Sequence, residues 1–441
     1  SVIFAHLAWC ESTTCPIVVH FKMSCELGDG PTSQFLSREL NNIVREIAKD
    51  ESLRDFEIQV KEQSFTGDNY IGSITRIKLE ALKNGQKSIH LIMKSAPTTP
   101  VTRESIPVKK YYLNEIFTYD VILPTLDRVQ ADNNIPAKDR FPFAKLYKSS
   151  TEDFKEMILM KDLSADGFVL HDKRTAMNLE YASLAIQNIA RFHASSFVLK
   201  EKDPEKFSVL TENLPRLQNY GEDMEKNFVQ VIKDIIDSVE IANRSKIESF
   251  GKDVTESVSN SLDASLTDPY NVICHGDCWN NNMLFKTEGG KVTDVILIDW
   301  QVVRFASPVT DIAYMLFLSM DENLLDLHLE DLLDLYYNTL QQAIARMGCD
   351  PNNCYPEEVF REHFKTNILF GLVMALVAVP FTLSEAGDAR TAEEIRDDLN
   401  KGISCINIGA NAAKRLNSVM EYGRAWCVGV CRNSSINNKK N

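Results

Sequence analysis

The sequence lacks most of what marks a secreted, membrane-embedded or nucleic-acid-binding chain. Its 10 cysteines are scattered over 441 residues, with no spacing that suggests a disulfide framework. Cys274 and Cys278 have no second pair at zinc-ligand spacing, and Cys349 and Cys354 fall in a turn rich in Pro and Asn, so no structural metal is expected. The longest unbroken apolar run, Ile368 to Phe381, is shorter than the roughly 18 residues a membrane helix needs; it reads as a buried helix. Basic residues are outnumbered 48 to 62, a formal net charge of -14, which removes nucleic acid as an expected partner. The opening stretch has no basic region of the kind that begins a secretory signal, and His6 and Glu11 interrupt its apolar residues. A cytoplasmic location is therefore expected. Residues 1–22 are expected to lie upstream of the natural start, because the chain opens on Ser1 and a polar, cap-rich segment begins at Met23. No internal repeat is visible.

The remainder is ordinary globular composition, 44% hydrophobic and 25% charged, with length enough for two or three packed units. Phe35, Leu36, Leu40, Ile43, Val44 and Ile47 recur at helical spacing after a Thr/Ser cap, predicting an opening amphipathic helix. Alternation in DFEIQVKEQSF and again over Ile77, Leu79 and Ala81 predicts strands, and Asn84–Gly85 signals a hairpin. In KSIHLIMKSAP, Ile89, Leu91 and Met93 share one face while Ile92 and Lys94 share the other. A lysine looking inward needs a partner; Glu115, on a helix predicted from about Arg103 to Leu123, is the candidate. RFPFAKLYK and KEMILMKDL supply two further strands, for about five antiparallel strands in all. Helical patterns then dominate, over 174–199, 221–249, 323–347, 356–383 and 391–420, broken by short strands near 270–274, 283–286 and 292–298. The pattern predicts an α+β chain of two lobes: a small β-rich unit over 24–160, a larger helical unit over 161–420 and a tail over 421–441, with ligand expected in the cleft between lobes.

His275, Asp277 and Asn282 stand in the spacing H-x-D-x-x-x-x-N directly after the apolar run NVIC, and the strand VILID delivers Asp299. Phosphoryl transfer needs this set: one carboxylate to accept the proton of an incoming hydroxyl, and oxygen ligands to hold magnesium on the phosphates. Asp277 fits the first role, Asn282 and Asp299 the second. The tripeptide H-G-D alone is as readily a chance polar turn. Its order relative to other features carries the argument. GDNYIGS, with Gly67, Asn69, Tyr70 and Ser73, is a glycine-containing turn able to present backbone N–H groups to phosphates, although most such turns are plain hairpins. Lys94 and Glu115 can form the ion pair that holds the α- and β-phosphates. Asp311 begins an apolar helix, where it is either a simple N-cap or a buried acceptor that ties down the loop carrying Asp277. Trp279 either covers the acceptor or packs beneath that loop, and His193 reads as packing between helices.

In GDNYIGSITRIKL, NEIFTYDVILPTL, ILMKDLSADGF, IARFHASSF, HGDCWNNNMLF and LIDWQVVRFASPVTDIAYML, the chain resembles the protein-kinase-like phosphotransferases. Within them it is similar to the aminoglycoside phosphotransferase and choline kinase branch, and closest to the ecdysteroid 22-kinase-like, or CHK-kinase-like, family, over about Phe35 to Leu416. The resemblance implies a bilobal protein-kinase-like fold, with a small antiparallel β-sheet N-lobe and a larger, mainly helical C-lobe. It implies ATP- and Mg-dependent phosphorylation of a small-molecule hydroxyl, with ecdysteroids as the family's named substrate class. Asp277 becomes the catalytic base, Asn282 and Asp299 the magnesium ligands, Lys94 the phosphate lysine with Glu115 its partner. Met160 to Leu163, with Asp162 among them, becomes the hinge that meets adenine. Lys161 departs from the acidic residue expected there. His275 and Asp311 are read as structural support.

A further absence bears on the acceptor. Only eleven residues separate Asp299 from Asp311, which leaves no room for a long peptide-docking segment, so no protein substrate is expected. The insert between Phe207 and Ser265 and the apolar helix with Phe370 and Met374 are candidate walls of an acceptor pocket, the latter equally readable as core. An apolar wall suits a steroid-like alcohol or xenobiotic. The alternatives are a choline, ethanolamine or aminoglycoside-type kinase, which needs a cage for a cation, and a pseudokinase that binds ligand without turnover.

Overall fold

The computed structural model describes residues 37–63, 72–82, 87–105, 107–212, 214 and 267–382. Gly67, Asn69, Tyr70, the Asn84–Gly85 turn, residues 1–22, the predicted helices over 221–249 and 391–420, most of the 207–265 insert and the 421–441 tail lie outside the described residues.

Helix α1 (Arg38–Asp50) starts where the Ser37 hydroxyl accepts the Leu40 N–H at 3.2 Å, relieving one of the donors that a helix start leaves unpaired. Its buried Val44 and Ile47 and half-buried Leu40 and Ile43 pack on one face of a five-stranded antiparallel sheet, against Ile77, Leu79, Ile89, Leu91 and Leu159. The strands are β1 (Phe56–Gln63), β2 (Ser73–Ala81), β3 (Ser88–Ser95), β4 (Leu146–Ser150) and β5 (Met157–Lys161), in the order β1-β2-β3-β5-β4. Because side chains alternate along a strand, the β3 register that buries Leu91 turns Lys94 to the opposite face, beside α2.

The helix predicted as one run from Arg103 to Leu123 is divided. A short helix ends at Ser105, and α2 (Val108–Phe117) starts after Pro107. A π-turn (Thr118–Ile122) follows, in which the Leu123 N–H bonds to Thr118 C=O, and α3 (Leu123–Asp132) continues to Asp132. Pro124 has no N–H to return to the Asp120 carbonyl, and the wider turn precedes it, as expected where the usual ladder is interrupted.

Beyond Lys161 the principal helices are α4 (Leu179–Lys202), α5 (Val309–Ser319), α6 (Glu322–Arg346) and α7 (Glu357–Thr382). The main core runs through them: α6 packs on α4, and α7 on α5. The α5–α7 approach is close enough that a Cβ on Gly371 would sit 2.6 Å from the Ala313 backbone. Two small sheets lie among these helices: β7 (Val272–Cys274) paired with β10 (Arg304–Ala306), and β8 (Met283–Glu288) between β6 (Phe168–Leu170) and β9 (Lys291–Leu297). Their pairing brings the loop 275–282, leaving β7, alongside the segment 298–303, leaving β9. This is an α+β architecture with an antiparallel sheet at one end of the chain and helices at the other.

Candidate active site

Lys94 comes from β3, Glu115 from α2 and Asp299 from the turn after β9. The Lys94 ammonium donates to Glu115 Oε2 and to Asp299 Oδ1, each at 2.7 Å, although Lys94 and Asp299 are 205 positions apart. Lys94 is 12% exposed and Glu115 2%, against 24% for Asp299, so the cluster opens toward solvent at Asp299. Burial works against the Lys94 charge, but Asp299 and Glu115 hold its pKa well above the ordinary value. Burial and the Asp299 charge push the Glu115 carboxyl up to about 7, against the pull of Lys94. Two carboxylates thus face one ammonium, an arrangement that favours a further cation.

Asp299 has φ 66, a left-handed conformation sparsely populated by non-glycine residues and found where function requires it. Gln301 Nε2 donates to its Oδ2 at 3.1 Å. The segment is also held from α2, where Asn114 Nδ2 donates to Gln301 O at 2.8 Å and Val303 O at 3.3 Å. Adjacent residues of α2 therefore address both halves of the cluster: Glu115 the lysine, Asn114 the backbone after Asp299.

The loop 275–282 is held almost entirely from α5. Asp311 Oδ2 accepts the His275 N–H at 2.6 Å and Oδ1 the Gly276 N–H at 2.9 Å. The Ser307 hydroxyl accepts the Val309 N–H at the helix start at 3.4 Å, and the Asp311 carboxylate serves the loop. His193 Nε2 donates to the same carboxylate at 3.3 Å, and its Nδ1 lies 2.9 Å from the Tyr336 hydroxyl. Burial opposes the Asp311 charge, yet His193 and Arg304 keep its pKa below the ordinary carboxylate range. His193, expected only to pack, thus anchors the anchor.

His275 has a fixed tautomer. Its Nε2–H donates to Ile298 O at 3.0 Å, and its Nδ1 accepts the Asp277 N–H at 3.2 Å; a protonated Nδ1 has no lone pair to accept with. Burial lowers its pKa accordingly. Gly276 has φ 88, and a Cβ there would run into the Val302 carbonyl oxygen, so only glycine fits.

Asp277 is fully buried. The Tyr314 hydroxyl donates to its Oδ1 at 2.8 Å, and Asn282 Nδ2 to its Oδ2 at 2.7 Å and its carbonyl at 2.9 Å. With Nδ2 committed to Asp277, Asn282 presents its amide oxygen elsewhere. Ile298 N donates to the Asn282 backbone carbonyl at 3.0 Å, which ties the backbone at Asn282 to the strand end that leads into Asp299. Carboxylate, amide oxygen and water are ligands that hard cations such as magnesium take. The donor set at Asp299 and Asn282 fits that ion, and Gln301 Oε1, buried and without a hydrogen-bond partner among the described residues, adds a further oxygen.

Other expected residues take varied places. Ser73 opens β2 opposite Ser95, and just before it a Cβ on Gly72 would meet the Ser95 carbonyl and the Tyr112 hydroxyl. Met160 is the half-buried penultimate residue of β5, and Leu163 is buried. The Asp162 carboxylate accepts from Arg76 Nε at 3.1 Å and from Ser164 N–H at 3.0 Å, while its own N–H goes to His90 O. Its side chain therefore caps a turn. Trp279 is 8% exposed, with an indole N–H that has no partner among the described residues. Phe370 and Met374 are buried in α7; Phe370 lies 6.4 Å from the Tyr314 ring and under the Arg304 guanidinium at 5.2 Å. Cys274 and Cys278 are buried thiols whose pKa burial pushes up. Two cavities, about 780 Å³ along α2 and about 590 Å³ beside Tyr119, are lined by neither Asp277 nor Asp299.

Sequence reasoning missed Tyr314, Asn114, Gln301 and Ser319, the last accepting the Asn280 N–H at 3.0 Å. The available signal was helical spacing, since Tyr314 follows Asp311 by three and Ser319 by eight on one face of α5.

Residues 66–349 match the ecdysteroid kinase-like family. Among solved structures, the chain is similar to wild-type aminoglycoside 2'-phosphotransferase-IIIa in complex with GDP, at 11% identity over 88% of this chain and 99% of that one, with a TM-score of 0.36. It is similar to a microcompartment-associated aminopropanol kinase at 10% identity over 87% and 98%, TM-score 0.41. A glucosamine kinase in complex with glucosamine, ADP and inorganic phosphate gives 11% identity over 87% and 86%, TM-score 0.31. No curated protein matches the chain. At such scores, kinship rests on the family match. Among the described residues no helix is long and apolar enough to cross a membrane.

Proposed function

Because the chain belongs to the ecdysteroid kinase-like family, we propose that this small-molecule kinase uses ATP and magnesium to phosphorylate a hydroxyl of an apolar alcohol of the ecdysteroid kind. The observation that carries the reading is the convergence of Lys94, Glu115 and Asp299 on one ion-paired cluster, beside a loop whose buried Asp277 is clamped by Asn282 and Tyr314.

Asp277 accepts the proton of the acceptor hydroxyl as its oxygen attacks the terminal phosphorus and the bond to the ADP oxygen breaks. Lys94, fixed by Glu115, binds the phosphates and spreads their charge. Asn282 and Asp299 are the residues that would hold magnesium, which when bound neutralises phosphate charge in the transition state. Backbone groups of Met160 to Leu163 are the candidate adenine contacts. The short run between Asp299 and α5, knitted by Asn114 and β10, leaves no extended platform for a peptide.

Asp277→Asn removes the proton acceptor while retaining shape. Loss of a general base costs on the order of 10³-fold in kcat, with nucleotide binding preserved in a thermal-shift assay. Mass detection of phosphorylated products across ecdysone, choline and a kanamycin-type aminoglycoside assigns the acceptor. Near-normal turnover of the variant would rule Asp277 out as the base, and preferential phosphorylation of choline or the aminoglycoside would overturn the apolar acceptor.

A further inference from the structure

The carboxylate of Asp277 is held by a helix with no assigned part in the chemistry, and we propose that the Tyr314 hydroxyl is a positioning group that sets its orientation for catalysis. The proposal rests on the reading of Asp277 as proton acceptor.

Tyr314 is fully buried in α5, and its hydroxyl donates to Asp277 Oδ1 at 2.8 Å while Asn282 Nδ2 donates to Oδ2 at 2.7 Å. A carboxylate on a short side chain can still rotate about its last bond. One donor on each oxygen removes that freedom, because any rotation lengthens both hydrogen bonds at once. A carboxylate oxygen carries two lone pairs, so a donor held on one of them sets the direction of the other. Pre-set orientation of this kind is what lowers a barrier without tightening ground-state binding.

The placement on α5 gives the clamp its rigidity. Asp311 and Tyr314, three residues apart on one helix face, grip the backbone at His275–Gly276 and the side chain at Asp277. One rigid helix therefore fixes both the position of the loop and the direction of its reacting group. The Tyr314 ring is packed independently of its hydroxyl, 6.4 Å from Phe370, so removing the hydroxyl alone leaves the packing in place. Burial, with Asp277 beside it, pushes the phenol far above its ordinary pKa, and the group remains a donor throughout turnover.

The test is Tyr314→Phe in the full chain, assayed with ATP, magnesium and ecdysone, or with choline or a kanamycin-type aminoglycoside should ecdysone not be phosphorylated. The expected result is a fall in kcat of about 10- to 100-fold, with KM for ATP and acceptor within about twofold. Replacing Tyr314 by 3-fluorotyrosine, which keeps shape and donor, is expected to retain wild-type kcat and covers the case in which the phenylalanine variant fails to fold. A kcat for Tyr314→Phe equal to wild type, a change confined to KM, or a loss of turnover with 3-fluorotyrosine would overturn the positioning role. Absence of transfer by the wild-type chain to all three acceptors would overturn the parent reading instead, and this proposal with it.

Discussion

At the scale of single residues, the loop 275–282 divides its work. Gly276 supplies a backbone conformation closed to other residues, His275 bridges two backbone groups, and Asp277 carries the carboxylate proposed as proton acceptor. Since His275 Nδ1 is needed as an acceptor from Asp277 N–H, protonation breaks a contact of the loop. Its folded pKa lies below the ordinary 6.5, so the unfolded chain takes up a proton first as pH falls. Stability contributed by neutral His275 is therefore complete above pH 6.5 and is lost below it, with a limiting slope of about 1.4 kcal/mol per pH unit. Urea unfolding at pH 7.5, 6.5 and 5.5 checks this. His275→Gln should flatten the dependence, and an unchanged slope would assign the acid sensitivity to other groups. Lys94, Glu115, Asp277, Asn282 and Asp299 were picked out by order and spacing, and the structure brings Lys94, Glu115 and Asp299 together and joins Asn282 to Asp277. Tyr314 was not legible, because a tyrosine in an apolar helix looks like core until its hydroxyl is seen to have a partner.

At the scale of elements, α5 is the frame of the site. Its inner face meets the loop through Asp311, Tyr314 and Ser319, and its outer face meets α7 at Gly371. A Cβ at Gly371 would lie 2.6 to 2.7 Å from Ala313 atoms, so Gly371→Ala must move one helix off the other. Overpacking of this kind costs about 1–3 kcal/mol. The displacement passes directly to the loop, and kcat should fall at temperatures where the chain is still folded. Thermal melts combined with kinetics at 15 °C separate the two effects; full activity with a lowered Tm would show that α5 stays in place. The α7 helix was readable as a buried apolar run, yet its contact with α5 was not, because a glycine carries no hydrophobic signal. By contrast, the single helix expected from Arg103 to Leu123 is broken before Val108 and widened at Thr118–Ile122; Pro107 and Pro124 were the signals that the helical spacing overrode.

At the scale of the whole molecule, the site joins the five-stranded sheet to the helical part through an ion pair and neutral hydrogen bonds. Lys94 on β3 reaches Asp299, and Asn114 on α2 reaches Gln301 and Val303. Nucleotide bound at this junction stabilises the fold by mass action, about 2.7 kcal/mol at 100 times its Kd. In Lys94→Met, which keeps the apolar stem and removes the ammonium, the melt without nucleotide should fall, because Glu115 is left buried without its partner, and most of the ligand-induced shift should vanish; a full shift in the variant would place the phosphates elsewhere.

The sequence by itself determined the elements and their order: hydrophobic period and Pro, Gly and cap positions dictate where helices and strands form, and the succession Lys94, Glu115, Asp277, Asn282, Asp299, Asp311 is a property of the chain. It also determined what the chain does not have, from a membrane-length apolar run to a long segment between Asp299 and Asp311. Only the tertiary structure decided which groups touch. The Lys94–Asp299 pair, the Asp311 grip on two backbone N–H groups and the Tyr314–Asp277 hydrogen bond span 205, 36 and 37 positions. Contacts at such separation are fixed by the packing of α5 between the loop and α7, which no local pattern of residues encodes.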